Sequence, residues 1–528
     1  MNHIGELFLL LMVAIAALTT VARVMGVPYP IPLVIGGLLI GLIPGLPTVQ
    51  LNPDLVLVIL LPPLLYSAAF FASLRDLQKD LRPITLLAVG LVIATACGVA
   101  VVAHALIDGI SWGAAFTLGA VVSPTDPIAA ATIARAQHAP RRLVTIIEGE
   151  SLINDGTALV IYRAAVAAVV SGSFSLASSG LDFVVGAVGG IAIGLLVGWP
   201  IAEARKRLDD PPVEITISLA TAYAAYLPAE ELGLSGVLAA VTVGIYLGWR
   251  SPEVSSVRMR VQGRPVWELL QFLINAALFV LVGLQLPVAA RALNDHSTWA
   301  LVGYAAAIWV TVVALRFIWT NVTTFLIRAL DRRPSQRERR GDWRTRVIGA
   351  WSGMRGAVSL AAALAIPLHT DAGKPFPERD LIIFLTFSVI LATLVIQGLT
   401  LPYLLEWLGV HDDGAAEREE VQARIAAAQA GIDRLEELAE EEWTRDDTVD
   451  RARRLFEYRQ RRFGARRDGD GTSDGIEDRS LAYQRLQREL LSAQHAAVVA
   501  LRNRGEISNE VMTLIERELD LEDERLEI

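Results

Sequence analysis

Apolar runs of about 18 residues or more recur from the N-terminus to about residue 408, and each is long enough to cross a ~30 Å hydrocarbon core. A chain built this way has lipid as the solvent for most of its length. The bulk values agree: 53% of the 528 residues are hydrophobic and the mean hydropathy is +0.45. Residues 411–528 break the pattern, with 19 Lys/Arg against 30 Asp/Glu. That stretch is −11 in a chain of −9 overall, so the apolar part is near +2. We therefore expect a transmembrane domain over 1–408 and a water-exposed helical tail over 409–528.

Dividing the runs at charges, prolines and polar loops gives thirteen spans. They are 4–25, 30–47, 54–72, 82–107, 112–136, 143–172, 180–204, 213–228, 232–249, 265–289, 298–328, 345–367 and 379–408. The first has Glu6 where a signal peptide carries a basic region, and it is longer than a signal core, so it reads as a retained span. Cys97 is the single cysteine and reads as a small core hydrophobe. The positive-inside rule sets orientation. Alternate loops hold 21 basic residues, beginning Arg75, Lys79 and Arg82 and ending with the eight arginines from Arg328 to Arg346; the opposite loops hold Arg291, Lys374 and Arg379. This places the N-terminus outside and the C-terminus in the cytoplasm.

A charge at mid-bilayer costs a few kcal/mol even on lenient scales. Asp126, Glu148, Glu150, Asp155, Arg163, Arg316 and Arg355 nevertheless lie inside spans. On span six, Glu148, Ser151 and Asp155 share one helix face, with Glu150 and Asn154 one position round. Asp155 is ~18 Å from the inner end. Three carboxylates within eight residues are too many for the Ser, Thr or Asn bonding that glues membrane helices.

Span five contains Ser123-Pro-Thr-Asp-Pro127. Two prolines three residues apart remove backbone donors and break the span into half-helices, which lipid tolerates only beside a cavity or inside protein. Freed carbonyls and the Thr125 hydroxyl are hard oxygen ligands suited to an alkali ion. Span twelve brackets Arg355 with Gly349, Gly353 and Gly356. Spans five and twelve differ by seven, so they run in opposite directions. Interrupted segments in such corresponding places point to an inverted-repeat transporter, with spans 1–6 and 8–13 as repeats. Half-helix ends carry partial charges of about ±0.5, which Asp126 and Arg355 are placed to neutralise. Arg316 lies at a depth that makes it the partner of Glu150. Glu148 is either a solvated helix-end carboxylate or part of a cation funnel at the inner mouth.

The SPTDP stretch, the EGESLxND run and the Gly-Met-Arg-Gly-Ala-Val segment resemble the cation/proton antiporter 1 family, which includes bacterial NhaP-type antiporters and animal sodium/proton exchangers. The likeness covers spans three to thirteen, and the tail is similar to that of long-tailed bacterial members. The resemblance implies an all-α polytopic fold and a homodimer in the bacterial inner membrane, its core made of spans 4–6 and 11–13 (about 82–172 and 298–408). It implies Asp155 as the ion- and proton-binding carboxylate, with Asn154, Asp126, Thr125 and Ser151 beside it. Na+ would sit at Asp155, Asp126, Thr125 and Ser151. It further implies a Glu150–Arg316 pair and an arginine, Arg355, near the helix crossing.

The expected function is exchange of Na+ for H+, electroneutral because Asn154 is neutral, with K+/H+ exchange as the alternative. It calls for no cofactor and no nucleic-acid partner; the partners are lipid, a second copy and whatever the acidic tail binds. A channel would need a filter-like run. A hydrolase would need a nucleophile with a base, or a metal cluster, and the seven histidines (3, 104, 138, 296, 369, 411, 495) show no ligand spacing.

Overall fold

The computed structural model describes residues 2–43, 55–172, 176–291, 293, 297–330, 341–468 and 476–526. Every regular element among them is a helix, as a bilayer solvent demands. The chain divides into two compact units, Met1–Asp412 and Asp413–Ile528.

In the first unit the helices are α1 Asn2–Met25, α2 Pro30–Gly41, α3 Leu61–Phe71, α4 Leu74–Lys79, α5 Leu81–Thr85, α6 Val92–Leu106, α7 Trp112–Val122, α8 Pro127–Ala136, α9 Arg141–Ser171 and α10 Leu176–Arg205. There follow α11 Pro211–Glu231, α12 Gly236–Val254, α13 Val257–Arg291, α14 Thr298–Leu330, α15 Trp343–Trp351, α16 Ala357–Leu364, α17 Arg379–Ala392 and α18 Gly398–Leu408. Wider π-helical turns at Leu86–Leu91 and Thr393–Gln397 join α5 to α6 and α17 to α18. Among the described residues, six continuous helices are long and apolar enough to cross a membrane, including Leu81–Leu106, Arg141–Ser171 and Arg379–Leu408. The last residues of span two and the arginines from Arg332 to Arg340 lie outside the described residues.

Helices in lipid gain nothing from burying apolar faces against each other, so close packing rests on small residues. α2 and α13 show this. A methyl group on Gly37 would fall 2.2 Å from the Val280 carbonyl oxygen, and one on Gly283 would fall 2.2 Å from that of Val34. Freed carbonyls find side-chain donors: Trp319 Nε1 of α14 donates to the Leu86 oxygen of the π-helical turn at 3.0 Å.

Arg205 departs from the loop role that the charge pattern suggests. It is fully buried beside Glu214, which is also fully buried, with 3.9 Å between the charged atoms. Its Nη2 donates to Ser255 Oγ at 3.0 Å, and its guanidinium lies over the Phe70 ring. The long arginine stem reaches back among the ends of α10 to α13, which hydropathy windows cannot register.

The second unit contains α19 Ala415–Leu438, α20 Asp446–Asp468, α21 Ile476–Asn503 and α22 Asn509–Leu526. The sequence suggests helices over 415–443, 479–503 and 507–527 and leaves 446–468 without one. α20 forms because Asp446 and Asp447 suit its first turn and because it packs on α19. Phe456 sits against Gly431, Gln460 donates to Gln429 at 2.7 Å, and Arg424 lies over the Phe463 ring. Its apolar stripe is too thin among the arginines to read without its partner. Most of the Gly/Asp-rich linker, Arg466 to Gly475, lies outside the described residues.

Candidate functional site

The prolines of Ser123–Pro127 end α7 at Val122 and restart the chain as α8 at Pro127. Asp126 is the N-cap of α8, its Oδ1 accepting from Ile128 N at 2.9 Å. The second break, Ser352 to Gly356, separates α15 from α16. The two breaks are bonded together: Asp126 N donates to the Met354 oxygen at 2.7 Å. A methyl group built on Gly356, the N-cap of α16, would fall 1.8 Å from Asp126 Oδ2. The Asp126 carboxylate thus lies against the N-terminal ends of α8 and α16, where the helix dipoles place partial positive charge.

Arg355 occupies the reciprocal place. It is 1% exposed. Its Nε donates to the Val122 oxygen at the end of α7 at 3.1 Å, and its Nη1 to the Gly353 oxygen just past α15. Its backbone N donates to Thr393 Oγ1 at 3.1 Å, on a π-helical turn. One anion stands between two positive helix ends and one cation between two negative ones.

A polar chain runs from Arg316 to Asn154. Arg316 of α14 and Glu150 of α9 are both buried; Arg316 donates from both terminal nitrogens to the two Glu150 oxygens, from Nη2 at 2.7 Å. Arg316 Nε donates to the Gly349 oxygen at 3.2 Å. Thr125 Oγ1 donates to Glu150 Oε1 at 3.0 Å, which leaves that hydroxyl oxygen to accept from Asn154 Nδ2 at 2.8 Å. The Asn154 amide is thereby oriented, and its buried Oδ1 has no partner among the described residues.

Asp155 and Ser151 lie on the face of α9 that borders a cavity of about 600 Å³, also lined by Thr125, Asp126 and Glu148. Asp155 is 6% exposed, and no hydrogen bond or ion pair to it exists among the described residues. Glu148 pairs with Arg135, which also lines the cavity, as do Arg264 and Glu268. At the other end of α9, Arg163 pairs with Glu230 of α11.

The structure therefore gathers Thr125, Asp126, Glu148, Ser151 and Asp155 around one space, sets Asn154, Glu150 and Arg316 behind it, and puts Arg355 at the crossing. Sequence reasoning missed Asn275 and Ser359, which complete the wall. A lone Asn in the apolar run QFLINAALF was a readable signal for the first. Ser359 had none, because serine is common among small residues in membrane helices.

The family model described as "Sodium/hydrogen exchanger, transmembrane" matches residues 9–407. An uncharacterised Na+/H+ exchanger of Mycobacterium tuberculosis strain H37Rv is 39% identical over 527 residues, covering 98% of this chain and 96% of that protein. A sodium, potassium, lithium and rubidium/H+ antiporter of Bacillus subtilis strain 168 is 35% identical over 390 residues, 72% of this chain and 58% of that protein. The fold matches the sodium proton antiporter MjNhaP1 of Methanocaldococcus jannaschii at pH 8, with a TM-score of 0.61 and 19% identity, covering 77% of this chain and 98% of that one. With a family model matching residues 9–407 and a relative 39% identical over 98% of its length, the chain belongs to the transmembrane sodium/hydrogen exchanger family.

Proposed function

We propose that this protein exchanges Na+ for H+ across the bacterial inner membrane, one for one, at Asp155. The observation that carries the reading is a buried carboxylate with no basic partner among the described residues, bordering a cavity that Asp126, Thr125 and Ser151 also line. Burial of a carboxylate favours its protonated form over its charged form unless a cation takes the proton's place. The same oxygens then hold H+ or Na+ in turn, and exchange follows if the empty charged form does not cross.

The surrounding residues supply what this cycle needs. Asp126 and Arg355 let four half-helix ends meet in the membrane interior. The Glu150–Arg316 pair holds Thr125 through its hydroxyl, and Thr125 holds Asn154. Because Asn154 carries no charge, one carboxylate balances one cation or one proton, and the cycle moves no net charge. Glu148 with Arg135 forms the cytoplasmic mouth, and Arg163 with Glu230 ties α9 to α11 on the outer side. The two broken segments support thirteen spans as two inverted repeats, and the excess of basic residues in alternate loops supports an N-terminus outside. The working unit is a homodimer, and the acidic tail is a surface for a regulatory partner.

A second reading, K+ as an additional or main cargo, is favoured by the range of ions in the name of the Bacillus subtilis relative. One assay addresses both. In everted vesicles carrying a pH gradient reported by a quenched dye, Na+ and Li+ should dequench the wild type. K+ should do so weakly if Na+ is the cargo and strongly if the second reading holds. Asp155→Asn should show no dequenching with any of them, and retained exchange would remove Asp155 from the mechanism.

A further inference from the structure

Hydroxyls on membrane helices satisfy themselves by donating to a carbonyl three or four residues back. Ser67 does so to the Pro63 oxygen at 2.7 Å, Thr386 to Ile382 at 2.8 Å and Ser388 to Phe384 at 2.9 Å. Ser359 does not. It is 1% exposed, and its Oγ has no hydrogen-bond partner among the described residues. The reason is local. α16 begins at Ala357, so Ser359 stands in its first turn, and the residue four back is Arg355, within the broken segment. No preceding turn of helix offers it a carbonyl.

A buried hydroxyl left unpaired is costly, because it has given up its bonds to water and gained none in return. Ser359 nevertheless borders the cavity that Asp155, Asp126, Thr125 and Ser151 line. It comes from the opposite side of the crossing: Thr125 and Asp126 lie on the first broken segment, Ser151 and Asp155 on α9, and Ser359 on the second. A neutral, hard oxygen in that position suits an alkali cation.

Resting on the proposed exchange at Asp155, we infer that Ser359 Oγ is a further ligand of the transported cation, joining the second broken segment to the ion. A proton needs only the carboxylate; Na+ needs a shell of oxygens. Ser359 therefore acts on the cation half of the cycle and not on the proton half, and it makes cation binding depend on the position of α16.

The test is the apparent KM for Na+ and Li+ in everted vesicles, with the protein at matched membrane abundance. Ser359→Ala should raise KM about tenfold, the loss of one neutral ligand, with Vmax at saturating Na+ within about twofold. Ser359→Thr, which keeps the hydroxyl, should restore KM. Ser359→Cys keeps the volume but offers soft sulfur, and should raise KM like alanine; it serves where the alanine variant folds poorly. An unchanged KM in the folded alanine or cysteine variant would overturn the inference, as would a fall in Vmax at unchanged KM, which marks a purely structural serine. A wild type that exchanges no cation would instead sink the proposed function itself, so the two failures are told apart.

Discussion

Glu150 and Arg316 illustrate what a charge inside this protein requires. Each is nearly inaccessible, and each is satisfied by the other in a two-pronged contact. Removing one partner of a buried pair leaves a stranded charge and costs about 3–5 kcal/mol. Arg316→Met should lower the thermal midpoint in detergent markedly, and Glu150→Gln with Arg316→Met should recover much of that loss. A double variant no more stable than the single one would show that the pair does more than neutralise itself. Asp126 separates shape from charge. Asparagine caps a helix as well as aspartate does, so Asp126→Asn should keep normal abundance while exchange falls at least tenfold, on the order of one lost charge interaction at a binding site. Near-normal exchange in that variant would assign Asp126 to capping alone.

At the scale of elements, the crossing of the broken segments depends on one glycine more than on the others. Gly356→Ala drives a methyl group into the Asp126 carboxylate and should abolish both exchange and accumulation of folded protein. Gly349→Ala, where the added methyl meets only Leu143 at an ordinary 3.6 Å, should be tolerated. Equal behaviour of the two would mean that the crossing is looser than its geometry. α4 and the residue that follows it are clamped to the start of α9, through Asp76 with Arg141 at 2.7 Å and Asp80 with Arg142 at 2.6 Å. Burial alone would push the Asp76 carboxyl up, but Ser73, Arg141 and Lys79 hold it below the usual carboxylate range. A lowered folded value means that the contribution of Asp76 is present above the ordinary carboxylate pKa and is lost only as pH falls through the lower one, far from neutrality. Asp76→Asn should therefore leave the pH profile of exchange unmoved, and a shifted profile would make the clamp part of the pH response.

For the whole molecule, the stoichiometry and the tail are the open quantities. If one proton balances one cation, vesicle exchange should not respond to an imposed membrane potential; a clear response would require a second titrating group and rule out the one-for-one cycle. The second unit has its own buried residues, including Phe463, Leu491 and Leu519, so a chain ending at Asp412 should insert and exchange with a KM for Na+ within about twofold of the full protein, as expected of units that are each compact by themselves. Loss of exchange in that chain would make the tail part of the machinery.

The sequence by itself determined that apolar helices make up the chain up to about residue 408, and it singled out the residues worth asking about. Hydropathy, proline and charge are local properties, and a carboxylate or arginine in an apolar run is conspicuous because lipid makes it so. The breaks at Ser123–Asp126 and Ser352–Gly356 were legible for the same reason. Only the tertiary structure decided which groups meet. Asp126 faces the N-terminal ends of two half-helices from segments more than two hundred residues apart. Thr125 has its hydroxyl bonded between Glu150 and Asn154, Arg205 folds inward, α20 is held by α19, and Ser359 borders the cavity with a buried hydroxyl that no described residue satisfies. These are outcomes of packing between distant segments, and a burial pattern read along the chain carries no record of which partner lies across the space.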